Sequence, residues 1–238
     1  MTTSDQPAAA DRGYAICTSG RSGSNLLCQY LSSTGLLGHP LEYFNAAGRR
    51  MFGLPDYPDE PDKQVDCIRT VGATRNGIYG VKIFPAQLDV VAKSIRWSER
   101  LPGLRFVRLG RRDLLGQAIS WSRALQTGQW QSTVPACAPA DYDADQIHQC
   151  LRAAASDDAR WGIFFARNGI EPAAIMYEDL VADPQEAVDR VASIFGLCGV
   201  ARIAPDKVDL VVQRDATTEE WRARFLAERR DLDAIGEL

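Results

Sequence analysis

Gly13-Tyr-Ala-Ile-Cys-Thr18 is a short apolar run between polar flanks, the pattern of a strand buried on both faces. Ser19-Gly-Arg-Ser-Gly-Ser24 ends it. A helical period then puts Leu26, Leu27, Tyr30 and Leu31 on one face, with Gly35 as the stop. The chain thus opens on strand, glycine-rich turn and helix. Ile78–Phe84 and Leu104–Leu109 predict second and third strands, although Arg105 and Arg108 suit a buried strand poorly, and Ala173–Tyr177 predicts a fourth. Helical periodicity covers 62–73, 86–97, 113–125 and 143–167, with Asp113 as a cap. Asp183-Pro-Gln-Glu186 opens a further helix with a cap, a proline at the first helical position and a glutamate three residues after the cap. That helix runs to about Phe195, and Thr217-Thr-Glu-Glu220 opens a last one. Residues 53–62 and 131–142 read as loops. Strands alternating with helices predict an α/β fold built on a mostly parallel sheet. No linker divides the chain, so residues 1–12 are expected to be a disordered tail and 13–238 a single domain.

Composition narrows the class. The 238 residues are 45% apolar and 24% charged, ordinary for a globular protein and long enough to bury a core without disulfides or metal. A wholly disordered chain, a collagen and a coiled-coil rod are excluded. No apolar run reaches the ~18–20 residues of a membrane helix, and the first residues lack the basic flank and apolar core of a signal peptide. With 27 Lys+Arg against 31 Asp+Glu, the net charge of −4 argues against a general nucleic-acid binder. Cysteines at 17, 28, 67, 137, 150 and 198 form no C-x-x-C pair, and neither His39 nor His148 lies at zinc-ligand spacing from one. No metal is expected. The cysteines read as free thiols in a reducing compartment, which makes the expected location cytoplasmic.

The candidate chemistry begins at Ser19-Gly-Arg-Ser-Gly-Ser-Asn25. Glycines let successive N–H groups face one point, and the following helix adds its N-terminal dipole and unpaired donors. Arg21 adds a full charge, and Ser22 and Ser24 add hydroxyls, which together make an oxyanion cradle. It is no Walker A loop: the four-residue spacer and the Gly-Lys-Ser/Thr ending are missing. The competing reading is a turn with a structural role only.

At this loop the chain resembles the sulfotransferases, and within them the bacterial trehalose 2-sulfotransferase family. Gly38-His-Pro-Leu-Glu-Tyr-Phe44 is similar to that family's Gly-Glu-Pro-x-Glu-Phe-Phe segment, and Asn76-Gly-Ile-Tyr-Gly-Val-Lys82 to its Asn-Gly-x-x-Gly-x-Lys strand. Arg111 through Trp130, with Gln117-Ala-Ile-Ser120 and Arg123-Ala-Leu-Gln-Thr127, is similar to its 3′-phosphate segment. Tyr177-Glu-Asp-Leu180 before Asp183-Pro184, Gln213-Arg-Asp215 and Glu219-Glu-Trp-Arg222 carry the likeness to about residue 225.

The resemblance implies the P-loop-like sulfotransferase fold, a parallel sheet flanked by helices. It also implies transfer of a sulfuryl group from 3′-phosphoadenosine 5′-phosphosulfate (PAPS) to the hydroxyl of a carbohydrate or other small molecule, leaving 3′-phosphoadenosine 5′-phosphate (PAP). On it, Ser19, Gly20, Arg21, Ser22, Gly23, Ser24 and Asn25 hold the 5′ end of the donor, with Arg21 also offsetting charge on the leaving phosphate. Arg111 and Ser120 hold the 3′-phosphate, and Arg214 is a weaker third candidate. Glu42 is the general base. Lys82 stands toward the C-terminal end of its strand, to assist donor or acceptor or simply to reach solvent. Gln126 and Trp130 face the sugar, where an amide suits hydroxyls and an indole suits a C–H face. His39 stands where the family has its first glutamate, which leaves the acceptor open, and Arg112 replaces a common proline, which leaves Arg111 and Arg112 to be told apart. The family often forms homodimers. A small-molecule kinase is the alternative enzyme, and a catalytically inactive nucleotide-binding protein is the alternative outside catalysis.

Overall fold

The computed structural model describes residues 10–210 and 216–234. Four strands form one parallel sheet in the order β2-β1-β3-β4: β1 Arg12–Cys17, β2 Ile78–Ile83, β3 Leu104–Gly110 and β4 Ala173–Met176. The central position of β1 explains its unbroken apolar run, since a parallel strand flanked by helices is buried on both faces. Ile16 sits opposite Lys82 on one side and Val107 on the other.

The helices are α1 Ser24–Ser33, α2 Ala46–Met51, α3 Pro61–Thr70, α4 Pro85–Val91, α5 Trp97–Arg100, α6 Leu114–Thr127, α7 Ala144–Asn168, α8 Tyr177–Ala182, α9 Pro184–Ser193 and α10 Ala216–Arg229. Strand alternation sorts the core onto two faces. Tyr14, Ile16, Val107 and Leu109 pack with Leu27 and Leu31 of α1 and Val188 and Val191 of α9. Ala15, Cys17, Val81 and Ile83 pack with Trp97, Trp161 and Phe165. A satellite cluster joins Ile119 of α6, Ile147 of α7 and Trp221 and Phe225 of α10. The helix after β1 and the helices after β3 therefore take opposite faces. Between the carboxyl ends of these two strands lies the crevice where open α/β sheets bind ligands.

The predicted strands and long helices are present, with local differences. The helix expected over 86–97 breaks into α4 and α5; Val91 and Trp97 are both buried, and on one continuous helix their six-residue spacing would set them about a third of a turn apart. The strand expected to reach Tyr177 stops at Met176, and Tyr177 opens α8. Arg108 is tolerated in β3 because it forms a two-pronged pair with Asp158 of α7 at 2.7 Å, while Arg105 is exposed. Asp113 and Asp183 cap their helices as expected, accepting from Gly116 N and Glu186 N at 2.9 Å. Ala10 is buried and its N–H donates to Arg69 O, and Arg12 already belongs to β1.

The segment after α1 places the rest of the site. Gly38 takes a left-handed φ of 71°, donates its N–H to Thr74 Oγ1 and lies against the backbone of Gly72 and Gly80. Leu41 then bridges Val81 in parallel, and Lys82 N donates to Leu41 O at 2.9 Å. The chain thus runs beside β2 for a single bridge, which sets Glu42 next to Lys82.

Gly38→Ala should destabilise the fold by roughly 2 kcal/mol or more, from the left-handed conformation plus a Cβ set 2.7 Å from Gly80 N. Gly35→Ala, at φ 65° in open space, carries only the conformational part. Urea unfolding of both variants checks the order; equal losses would show that the contact with Gly80 does not matter.

Candidate active site

The loop after β1 is fixed from within. Thr18 donates its backbone N–H to Ile83 O at 3.3 Å and its hydroxyl to Leu109 O at 2.9 Å, tying β1 to both neighbours. Ser22 is fully buried, its hydroxyl 2.6 Å from that of Thr18. The Gln117 amide of α6 donates to Ser19 Oγ at 2.8 Å and Gly20 O at 2.6 Å. Ser19 and Ser22 therefore brace the loop and do not line the cavity. A Cβ on Gly20 would meet the Trp121 ring at 2.8 Å, and one on Gly23 the Tyr177 ring at 2.3 Å, so aromatic walls demand both glycines. Arg21 is left-handed at φ 59° although it is not glycine, a strain of about 1 kcal/mol or more that such sites commonly carry. No side chain caps α1 and no acid lies in its first turn. The N-terminal residues Ser24, Asn25 and Leu26 border a cavity of about 670 Å³, where their helix end favours an anion.

Glu42 lies at the β2 side of that cavity. Its carboxylate is 2.8 Å from Lys82 Nζ and accepts from Asn45 Nδ2 at 2.9 Å and Gln87 Nε2 at 3.2 Å. Lys82, itself buried, also donates to Asn25 Oδ1. One ammonium thus links the carboxylate to the first turn of α1. Burial pushes the Glu42 carboxyl up, but the Lys82 charge and the hydrogen bonds from Lys82, Asn45 and Gln87 together hold it below the usual value. Its ionised form stabilises the fold at neutral pH, and this contribution is lost as pH falls through the depressed pKa.

Arginines gather at the β3 side. Arg21 Nε donates to Ser120 Oγ at 2.9 Å and Nη1 to Trp130 O at 2.6 Å. Arg111 Nη1 donates to Arg21 O at 3.2 Å, and its guanidinium lies 4.6 Å from the centre of the Tyr177 ring. Burial and then the neighbouring charges of Arg111 and Arg123 push the Arg21 pKa down, against a smaller opposing effect of Tyr177. Arg21 and Arg111 are mutually repelling cations at one end of the cavity, an arrangement that an anion between them would relieve. Asp113 orients this end: it pairs with Arg222 at 2.6 Å and stands 3.9 Å from Arg111.

Of the predicted residues, Gly20, Arg21, Gly23, Ser24, Asn25, Glu42, Lys82, Arg111, Ser120 and Trp130 share this cavity. Arg112 does not; exposed, it pairs with Asp179 of α8 at 2.6 Å, so geometry separates it from Arg111. Gln126 is directed elsewhere. Its amide bonds Asp141 and the Gln146 side chain, tying α6 to the start of α7. His39 is also outside the lining; its backbone N–H goes to Gly72 O, its carbonyl accepts from the Tyr43 hydroxyl, and burial lowers its ring pKa. Arg214 falls outside the described residues.

Several cavity residues escaped the sequence reading. Asn45 caps α2 through Gly48 N and holds Glu42 as well; a cap-type residue before Ala46-Ala47 was the available signal. Gln87, Trp121 and Tyr177 act through partners distant in sequence, which periodicity does not reveal. Asp157 of α7 also lines the cavity, and burial pushes its carboxyl up to about 6 against the pull of Arg160, with Asp89 adding to the rise. Arg49 of α2 lines it too, with a buried Nε that has no hydrogen-bond partner.

A cavity at the carboxyl ends of parallel strands, with cations and a helix N-terminus at one side and a carboxylate at the other, is suited to bind an anionic ligand. Comparison with known proteins narrows the class. The sequence pattern of the Stf0 sulphotransferases matches residues 13–228, and the chain belongs to that family; it is an enzyme, a sulfotransferase. Two relatives named trehalose 2-sulfotransferase are similar over nearly their whole length. One, from Mycolicibacterium smegmatis, is 28% identical, covering 98% of each chain; the other, from Mycobacterium tuberculosis, is 29% identical, covering 92% of this chain and 96% of its own. A solved sulfotransferase from Alicyclobacillus acidocaldarius aligns over 92% of both chains at 16% identity, with a TM-score of 0.47. The kinase alternative falls with the family membership. The inactive alternative required a lost base, and a carboxylate stands at that position.

Replacing Lys82 by Met should raise the Glu42 pKa past the ordinary carboxylate range, because burial then acts with its main counterweight removed. A pH titration of the glutamate carboxyl ¹³C signals in both proteins reads this directly. An unmoved Glu42 signal would mean that Asn45 and Gln87 alone hold the charge.

Proposed function

We propose that this enzyme transfers the sulfuryl group of PAPS to a hydroxyl of a carbohydrate or related small molecule, with Glu42 as general base. The observation that carries the reading is the chain Asn25–Lys82–Glu42, which joins the start of α1 to a half-buried carboxylate through one buried ammonium. A base and an anion cradle bridged by a single cation suit an in-line transfer, in which attacker and leaving group lie on opposite sides of the group that moves.

The chain's own residues divide the work. The N–H groups at the start of α1 and the loop backbone hold the phosphosulfate, and the absence of side chains at Gly20 and Gly23 lets it approach. Arg21 exchanges its contacts with Ser120 and Trp130 for ligand oxygens and offsets the charge that grows on the leaving phosphate. Arg111 and Ser120 take the 3′-phosphate. Lys82 stabilises the transferred oxygens and keeps Glu42 ionised until the acceptor is in place. The acceptor oxygen bonds to sulfur as the sulfur–oxygen bond to phosphate breaks; its proton passes to Glu42, and PAP keeps the bonding pair.

Trp130, exposed at the cavity rim, is the remaining candidate for stacking on a sugar. The names of the mycobacterial relatives make trehalose the first acceptor to try, by radiolabelled sulfuryl transfer from PAPS. The six cysteines are free thiols, which supports a cytoplasmic enzyme.

PAP should bind better than adenosine 5′-phosphate by roughly tenfold or more, the scale of one charge-assisted hydrogen bond. Arg111→Ala should narrow the gap and Arg112→Ala should leave it, as read by calorimetry at matched salt. Equal affinities for the two nucleotides in the wild type would remove the 3′-phosphate assignment.

Glu42→Gln keeps the shape and loses the base, so turnover per folded molecule should fall by ~10²–10⁴ with PAP affinity changed much less. Near-wild-type turnover at saturating donor and acceptor would remove Glu42 from the chemical step.

A further inference from the structure

The cations of the cavity are unevenly committed. Lys82 is bound to Glu42 and Asn25. Arg21 and Arg111 lie together beside Ser120, at the end assigned to the donor phosphates. Arg49 is different. It lines the same cavity from α2, one turn past Asn45, the residue that holds Glu42. Its Nε is buried without a hydrogen-bond partner, and its guanidinium makes no ion pair among the described residues. The next residue, Arg50, pairs with Asp59 at 2.8 Å, so carboxylates are within reach of this segment and Arg49 takes none.

The order of strand ends says which ligand Arg49 meets. Across the sheet, Arg111 follows β3, the anion loop follows β1, Lys82 ends β2, and Glu42 lies beyond β2 on the segment bridged at Leu41. Arg49 follows Glu42 on α2, the helix whose cap, Asn45, holds the Glu42 carboxylate. Three strand spacings of ~4.8 Å separate the Leu41 segment, from which α2 continues, from β3, where Arg111 stands. Arg49 lines the same cavity as Glu42, Asn45 and Lys82, so it stands close to the carboxylate end.

We propose that Arg49 binds an oxyanion carried by the acceptor, so that the preferred acceptor is an acidic sugar or polyol, such as a sugar phosphate, and not a neutral one. The inference rests on the reading of Glu42 as the base beside which the acceptor hydroxyl sits. A partly buried guanidinium with an unused donor gains most from a charged acceptor atom, and a neutral hydroxyl leaves its charge uncompensated.

The test uses the full chain and two matched pairs of probes: glucose with glucose 6-phosphate, and trehalose with trehalose 6-phosphate. Radiolabelled transfer from PAPS gives KM and kcat for each, and calorimetry gives the affinity of each probe for the PAP complex. The phosphorylated member of a pair should show a KM and a Kd lower by about 10- to 100-fold, the scale of a charge-assisted hydrogen bond. Arg49→Gln should collapse that ratio, and Arg49→Lys should restore part of it. The inference is overturned if neither pair shows a preference, if the preference survives in Arg49→Gln, or if Arg49→Gln weakens PAP binding by the same factor, which would assign Arg49 to the donor. Failure of the underlying reading looks different: the wild type would bind no PAP or transfer sulfuryl to no hydroxyl. The calorimetric ratio of glucose 6-phosphate to glucose, measured in wild type and Arg49→Gln without nucleotide, still decides the role of Arg49 in that case, and an equal ratio in the two proteins rejects it.

Discussion

The pair of buried Lys82 and half-buried Glu42 is the interaction around which the rest of the cavity is arranged. Each charge costs several kcal/mol to remove from water, and the attraction offsets that cost only when the remaining donors and acceptors are also satisfied. Most of them are: Asn25 takes a second ammonium proton, and Asn45 and Gln87 fill the second carboxylate oxygen. Four elements are drawn together by this pair, namely the end of β2, the first turn of α1, the cap of α2 and the start of α4. Apolar residues often replace a buried ion pair without loss of stability. The chain keeps both charges here, at the edge of the cavity and beside the first turn of α1.

The opposite end of the cavity solves a different problem. Two arginines are brought together at Ser120, and the walls keep them from separating: Tyr177 lies under Arg111, and Arg21 is bent into a left-handed turn whose carbonyl Arg111 occupies. Tyr177 also presses on Gly23, so one ring fixes both a cation and the residue that starts α1. The distance between the arginine end and the carboxylate end is set by strand spacing, since β1 and β2 separate β3 from the Glu42 segment.

Much of this was legible in the sequence where the signal was local. The apolar run of β1, the glycine loop and the periodic face of α1 read correctly because each depends on neighbours within a few residues. The caps at Asp113 and Asp183 were equally plain. The choice between Arg111 and Arg112 was not, because it turns on backbone direction after Gly110 and on the presence of Asp179, a residue of a helix that the strand-like Ala-Ala-Ile-Met-Tyr pattern concealed. Gln126 lies on the expected helix but on the side that meets Asp141 and Gln146, and helical periodicity does not say which neighbour a polar face will find. Arg49 was missed because α2 is six residues long, too short to show a period.

The two halves of the cavity are anchored very differently. The β3 end grows from strand ends tied together by Thr18, Ser22 and Gln117, so a change there disturbs the sheet itself. The wall at the Glu42 end is carried by α2, a turn and a half with no fully buried side chain, capped by Asn45 and tied through Arg50 to Tyr57 O and Asp59. Substitutions along residues 46–52 can therefore reshape that wall while the sheet core stays as it is. Asn45, just ahead of this segment, is the exception: its amide also holds Glu42, so changes of the wall are bounded by the one residue that joins it to the carboxylate.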